Sequence, residues 1–222
     1  MPTLCTYCGN RNATTADHVP PKSFFATPRP NNLITVPCCK FCNGSFGKGD
    51  ERVRNLLTSL QNTENHPAIL GQIADKRNRS YLRAQGASNF SHILNSLKLV
   101  DVYTPGGIAL GSRPAFNLDQ ELMNRFIERV TRALLHHETS VGYADGNVEW
   151  RMASTLKNLD SMPAKTKAIL ASGEWKEIGE GIFSYAAYCR KGSTTSLYIM
   201  SFYGGANFMS IFREHALQSK NL

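Results

Sequence analysis

The sequence predicts an α+β fold in which a small N-terminal unit precedes helices and a C-terminal antiparallel sheet. Three observations support this prediction. Two Cys-x-x-Cys pairs, Cys5 with Cys8 and Cys39 with Cys42, bracket two short apolar runs near the N-terminus. Apolar residues recur at helical spacing in the middle of the chain. Runs rich in Tyr, Phe and Ile then alternate with glycines, which is typical of antiparallel strands.

Length and composition indicate a folded intracellular protein. The chain has 222 residues, 41% of them hydrophobic, which is enough for one sizeable core. No apolar run approaches the roughly 20 residues of a membrane span, and the segment Met1 to Cys5 lacks the features of a signal peptide. We therefore expect a cytoplasmic protein with no membrane partner. In a reducing compartment, six cysteines indicate metal binding rather than disulfides.

The net charge of +8 is concentrated in the first half of the chain. Residues 1–113 contain 13 Lys and Arg against 6 Asp and Glu, whereas residues 114–222 contain 12 against 11. Such an uneven charge is typical of proteins that bind phosphates, with DNA as the expected ligand and RNA left open. Charge alone is equally compatible with a basic soluble surface.

Between the cysteine pairs the sequence predicts a strand, a loop, a second strand and a helix. Thr14 to Val19 contains β-branched residues and predicts a short strand that ends near His18. Prolines and asparagines predict a loop over residues 20–32. Leu33 to Val36 predicts the return strand, and a helix is expected to begin near Cys39 because Pro37 ends that strand.

The middle of the chain predicts two groups of helices. Glycines at positions 44, 47 and 49 predict a break before a helix from about Glu51 to Gln61. Helical spacing continues to about residue 98, and an apolar stripe predicts a long helix over about 118–138. Within the first group, the segment Lys76 to Arg83 interleaves four cations with one aromatic residue. This pattern favours a solvated helix face, with a surface that follows phosphates as the alternative.

Strands are predicted between and after the helices. Leu99 to Tyr103 and Ile108 to Leu110 flank Pro-Gly-Gly and predict a hairpin. Three strands are predicted over Gly181 to Lys191, Thr195 to Tyr203 and Asn207 to Arg213, in a β-meander spanning about 175–213. We therefore divide the chain into an N-terminal finger over residues 1–50 and an α+β region over residues 51–222, to which the sequence assigns no function.

The four paired cysteines predict a zinc site. Zn²⁺ prefers four tetrahedral ligands, and thiolates bind it well. A site made of four thiolates leaves no open coordination position, so Cys5, Cys8, Cys39 and Cys42 predict a structural Zn²⁺. Cys38 leaves an alternative open, because it could replace Cys39 with Cys-x-x-x-Cys spacing or remain a free thiol.

Hard oxygen and nitrogen donors lie inside the loop that this zinc would close. Hydrolysis of a phosphodiester requires an activated water and positive charge near the leaving oxygen. His18 suits the first task, because an imidazole with a pKa of about 6.5 takes up a proton at neutral pH. Asp17 and Asn43 offer oxygen ligands that suit Mg²⁺ or Mn²⁺. Each residue alone has an ordinary structural explanation, whereas their combination favours a nuclease.

In this order, the residues from Cys5 to about Lys48 resemble the HNH endonuclease superfamily, in the variety whose ββα-metal finger carries a four-cysteine structural zinc. The resemblance implies that His18 is the general base. It also implies that Asp17 and Asn43 hold the catalytic Mg²⁺ or Mn²⁺, and that Asn32 braces the loop and orients the base.

One position of the motif has two candidate residues, and another departs from the strict pattern. The middle position falls on Asn32 rather than the adjacent Asn31 because Leu33 follows it, although an offset of one residue stays open. The third position is Asn43 where many members have His, which departs from the strict pattern.

The sequence thus leaves two functions. The first is a metal-dependent DNA endonuclease with His18 as general base, in a setting such as prokaryotic restriction or defence against phage. The alternative is a non-catalytic, zinc-dependent nucleic-acid-binding module. Either function is compatible with a protein partner or a homo-oligomer. In both cases the cations around the loop and helix are predicted to contact the phosphate backbone: Lys22, Arg29, Lys40 and Lys48.

Overall fold

The computed structural model describes residues 3–104, 106–153, 164, 167–168, 174–189 and 193–215. Over these residues the fold is mixed α+β, with antiparallel sheets and a group of four cysteines near the N-terminus. The predicted α+β class is thereby confirmed. None of the helices in this part of the chain is both long and apolar enough to cross a membrane.

The N-terminal elements are two strands followed directly by a helix. Strand β1 (Thr15–Val19) pairs antiparallel with β2 (Ile34–Cys38), and helix α1 (Lys40–Leu57) begins two residues after β2 ends. The loop between the strands contains one short 3-10 turn at Lys22–Phe24. This order of elements matches the predicted strand, loop, strand and helix.

Helix α1 is continuous, so the predicted break at the glycines and the separate helix from Glu51 to Gln61 are wrong. A glycine in a helix interior costs about 1 kcal/mol relative to alanine. Tertiary packing outweighs this cost, since most helical stability in proteins comes from the buried face. The last turns of α1, from Val53 to Leu57, are buried and supply that face.

The central part of the chain contains three more helices and a hairpin. A π-helical turn (Ile69–Ile73) leads into α2, and the long helix α4 has its N-cap at Asp119, whose carboxylate accepts a hydrogen bond from the Leu122 N–H at 3.0 Å. The predicted hairpin is present, with a second strand longer than expected. The bounds are α2 (Ala74–Tyr81), α3 (Ala84–Ser96), β3 (Lys98–Tyr103), β4 (Ala109–Ala115) and α4 (Gln120–Thr139).

The C-terminal sheet has five antiparallel strands in the order β5-β9-β8-β7-β6. Its three predicted strands are present as β7 to β9, although residues 190–191 of the first one lie outside the described part of the chain. Two strands were not predicted: β5, which pairs with β9 along its whole length, and the short edge strand β6. The bounds are β5 (Gly146–Ala153), β6 (Lys176–Ile178), β7 (Phe183–Tyr188), β8 (Thr195–Phe202) and β9 (Ala206–Glu214).

One hydrophobic core joins the N-terminal elements to this sheet. Phe24, in the loop after β1, stacks on Phe126 of α4 with ring centroids 5.4 Å apart. The hydroxyl of Tyr203, in the β8–β9 turn, donates a hydrogen bond to the carbonyl oxygen of Phe24 at 2.9 Å. Val19 of β1 is fully buried in the same core. The loop that follows His18 is therefore held by both α4 and the C-terminal sheet.

Candidate functional site

Four cysteines converge at the start of the fold. The Sγ atoms of Cys5, Cys8, Cys39 and Cys42 all lie within 4.8 Å of one another. Tetrahedral zinc with Zn–S bonds of about 2.3 Å places its sulfurs about 3.8 Å apart, and the Sγ atoms of Cys8 and Cys39 are separated by 4.0 Å. Cys5 and Cys39 are buried, whereas Cys8 and Cys42 are partly exposed. The arrangement is compatible with a structural zinc.

Backbone geometry shapes both cysteine pairs. The Gly9 N–H donates a hydrogen bond to the Cys5 carbonyl oxygen at 2.9 Å. Gly9 has a φ of +64°, which favours glycine, and a Cβ at this position would collide with the ring of Tyr143. Cys39 is the N-cap of α1, and its Sγ accepts a hydrogen bond from the Cys42 N–H at 3.4 Å. The first pair thus sits in a tight turn, and the second directs a backbone amide toward sulfur.

Cys38 is not part of this group among the described residues. It ends β2, is fully buried, and its Sγ donates to the Cys39 carbonyl oxygen at 3.4 Å. Of the two alternatives that the sequence leaves open, the structure favours Cys39 as the fourth member of the group.

His18 lies in β1 with a half-buried imidazole. Burial lowers the pKa of His18 below its usual value, and the charges of Lys22 and Arg29 lower it further, while Asp17 acts in the opposite direction. A lowered pKa keeps the imidazole neutral at pH 7, and the neutral form is the one that accepts a proton. The environment of His18 is therefore suited to a general base.

Asp17 faces the interior, on the opposite side of β1 from His18 because side chains alternate along a strand. Its Oδ2 accepts a hydrogen bond from the Tyr7 hydroxyl at 2.6 Å and lies 3.0 Å from Arg129 Nε, an ion-pair contact outside hydrogen-bond geometry. Arg129 also donates to both carboxylate oxygens of Asp50, at 2.6 and 3.2 Å. These four residues form a buried network that joins β1, α1 and α4.

The charges in this network support one another. Burial acts to lower the pKa of Arg129, but the carboxylates of Asp50 and Asp17 overcome this effect and raise it. Burial raises the pKa of Asp50, and Arg129 opposes that rise. Burial and the neighbouring Asp17 raise the pKa of Tyr7. Tyr7 therefore stays a neutral donor to Asp17.

The network gives no support to the predicted second metal. The side chain of Asp17 is only 8% exposed and its carboxylate is already paired, which does not fit a ligand of Mg²⁺, an ion that usually keeps several waters. Asn43 lies on the first turn of α1, where its Nδ2 donates to Thr15 Oγ1 at 3.1 Å and to the Ala16 carbonyl oxygen at 3.4 Å. Asp17 and Asn43 as ligands of Mg²⁺ or Mn²⁺ stay predictions.

Asn32 and the predicted phosphate contacts lie on the surface. The Nδ2 of Asn32 donates to the carbonyl oxygen of Glu177 in β6 at 2.9 Å, so this side chain braces the loop against the C-terminal sheet. Its role in orienting His18 stays a prediction. The four predicted phosphate contacts are all exposed and lie in two places, with Lys22 and Arg29 in the loop near His18 and Lys40 and Lys48 on α1.

Tyr7, Asp50 and Arg129 were not predicted as site residues from the sequence. Arg129 and Asp50 are 79 residues apart, so no local spacing could reveal the pair. One signal was present: Arg129 falls between Phe126 and Val130 on the apolar face of α4. A cation on the buried face of a helix indicates a buried anionic partner.

Comparison of the chain with protein-family models, with curated proteins and with solved structures gave no significant match. The function of the chain is accordingly inferred from the site itself.

Proposed function

We propose that the chain is an HNH-type endonuclease that hydrolyses phosphodiester bonds in DNA. The observation that carries this proposal is the position of His18, half-buried on a β1–β2 hairpin that a four-cysteine group ties to the first turn of α1. The succession of β1, loop, β2 and α1 is also the one that the resemblance to the superfamily implies.

In this proposal a Zn²⁺ on Cys5, Cys8, Cys39 and Cys42 is structural. The first two cysteines precede β1 and the last two begin α1, so the ion fixes the helix against the hairpin that carries His18. Four thiolates leave no open position, and the zinc therefore takes no part in the chemical step.

His18 accepts a proton from the attacking water. Burial and the charges of Lys22 and Arg29 lower the pKa of His18, which favours the neutral base. The same two cations lie on the exposed loop beside it and hold the phosphate backbone of the bound strand. Asn32 supports this loop through its hydrogen bond to β6.

A second candidate function is a non-catalytic, zinc-dependent nucleic-acid-binding module. The observation that favours it is the burial of Asp17, whose carboxylate pairs with Arg129 and Tyr7 instead of facing solvent. In such a module the cationic surface binds DNA, and no phosphodiester bond is broken.

Cleavage of supercoiled plasmid DNA separates the two functions. The protein is incubated with plasmid and either Mg²⁺ or Mn²⁺. The blank is the same reaction without added divalent cation. We expect nicked or linear DNA only with a divalent cation, and a rate at least ~100-fold lower for His18→Ala with zinc content unchanged. His137→Ala, which removes an exposed imidazole at the end of α4, is the matched control and keeps the full rate. Intact plasmid that both wild type and His18→Ala retard equally on a gel would establish the binding module instead.

A further inference from the structure

Two stretches of the chain contain cations and no acidic residue. The first runs from His18 to Gly49 and the second from Lys76 to Val100. On most protein surfaces cations and carboxylates are interspersed. Within these two stretches no carboxylate offsets the positive charge. Where the fold brings the two stretches together, the surface that they form is suited to bind a polyanion.

The fold places α2, at the start of the second stretch, beside the loop of the first. Gln72, in the helical turn that leads into α2, clamps the backbone of Thr27: its Nε2 donates to the carbonyl oxygen at 2.7 Å, and the Thr27 N–H donates to its Oε1 at 2.8 Å. Lys76 Nζ donates to the carbonyl oxygen of Phe25 at 3.2 Å. These bonds, between residues 45 to 51 positions apart, fasten α2 along the loop that follows His18.

Neighbouring residues on the same side of α2 also fix it to the end of α1. Arg77 donates to the carbonyl oxygen of Thr58, and Ser80 Oγ accepts a hydrogen bond from Asn55 Nδ2 at 2.9 Å. This packing leaves Arg79 and Arg83 exposed, and neither forms an ion pair with any described residue. The unpaired cations of α2 and its C-terminal end therefore face solvent.

The cations of the loop and of α2 also act on one another. Burial lowers the pKa of Lys76, and neighbouring arginines that include Arg29 and Arg79 lower it further. Arg29 lowers the pKa of His18 as well. Arg29 is thus within electrostatic reach of both His18 and Lys76 of α2. The one carboxylate of α2, that of Asp75, lies in its first turn, before the arginines.

We propose that α2 and the loop after β1 form one cationic track, made of Lys22, Arg29, Arg79 and Arg83, that binds the phosphate backbone of double-stranded DNA and leads it to His18. The choice of DNA as ligand rests on the proposed function. Contacts to phosphates hold a duplex in place without reading its sequence. The cationic segment Lys76 to Arg83, for which the sequence favoured a merely solvated face, thereby gains a binding role.

The salt dependence of binding tests this track. For duplex DNA, each phosphate contact that is lost reduces the slope of log Kd against log salt concentration by about 0.9. We expect the double variant Arg79→Gln/Arg83→Gln to bind duplexes of unrelated sequence more weakly and to reduce the slope by about 1.8. Binding is measured in a His18→Ala background without added divalent cation, so that no cleavage interferes.

Arg151→Gln is the control, because it removes one positive charge, half the change in the double variant, from an exposed position on β5 in the C-terminal sheet. We expect its slope and affinity to equal those of the parent. Equal slopes for the parent, the control and the double variant, with all three folded by circular dichroism, would overturn the track. A reduced slope in the double variant supports the track even if the wild type fails to cut plasmid, a result that would count against the nuclease alone.

Discussion

At the scale of single residues, a cation in α4 determines where Asp17 lies. The side chain of Arg129 is 5% exposed and sits between the carboxylates of Asp17 and Asp50, each of which is at most 13% exposed. Its guanidinium also stacks over the ring of Phe46, 4.1 Å from the centroid. A buried carboxylate requires such a partner because desolvation disfavours its charge. Without Arg129, both aspartates would be left in the interior with no counter-charge.

We expect Arg129→Ala to lower the free energy of unfolding by about 3–5 kcal/mol, since removing one partner of a buried ion pair leaves the other charge uncompensated. Urea denaturation measures this loss. Arg125→Ala is the control from the same helix: its ion pair with Glu121 is largely exposed, so we expect a change of at most about 0.5 kcal/mol. Equal effects from the two substitutions would contradict the stabilising role of the Arg129 network.

The candidate site was only partly predictable at this scale. The cysteine pairs and the Asp-His dipeptide follow each other within 38 positions, and their spacing identifies them. The network around Arg129 depends on the packing of α4 against β1 and α1, which no local pattern encodes. The sequence therefore indicated the candidate base, His18, and missed the ion pair that turns the neighbouring Asp17 inward.

At the scale of elements, local signals identified the hairpin and most of the C-terminal sheet. Turn residues and β-branched runs mark β3, β4 and β7 to β9 directly. The continuity of α1 and the existence of β5 depend instead on distant partners. Strand β5 pairs with β9, which lies some sixty positions along the chain, from Gly146 opposite Glu214 to Ala153 opposite Asn207. In α1, tertiary packing outweighs the low helix propensity of the glycines, and this packing also involves residues distant in the sequence.

The glycines of α1 give a test of its continuity. A methyl group added at Gly44 or Gly47 would meet no atom within 4 Å. We expect Gly44→Ala and Gly47→Ala each to raise the free energy of unfolding by about 0.5–1 kcal/mol, because alanine is the better helix former. Gly205→Ala is the contrasting variant, since its Cβ would collide with the Asn62 carbonyl group, and it should destabilise the protein. If Gly44→Ala and Gly47→Ala leave urea midpoints unchanged or lower them, α1 is interrupted in solution as the sequence alone suggested.

At the scale of the whole molecule, the β1–β2 hairpin and the C-terminal sheet share one hydrophobic core, and Tyr7 packs against both this core and the cysteine cluster. Phe24 contacts Tyr203 by a stacked ring at 6.3 Å and by the hydrogen bond to its carbonyl oxygen. Trp150 packs against Phe208 of β9 at 5.8 Å, and Trp175 packs against the small cluster of Ala186 and Ile199. The fluorescence of both tryptophans of the chain therefore reflects whether the sheet is folded.

This link predicts that loss of the proposed zinc destabilises the distant sheet. We expect Cys42→Ser to lose the metal and to lower the urea midpoint seen by tryptophan fluorescence, because metal binding and folding are coupled and the core unfolds as one unit. Cys38→Ala alters a buried thiol outside the cysteine group and should keep one zinc per chain by elemental analysis. Zinc retained by Cys42→Ser would refute the ligand set. Zinc lost with an unchanged fluorescence midpoint would show that residues 1–50 unfold apart from the sheet, against the coupling that the shared core around Phe24 implies.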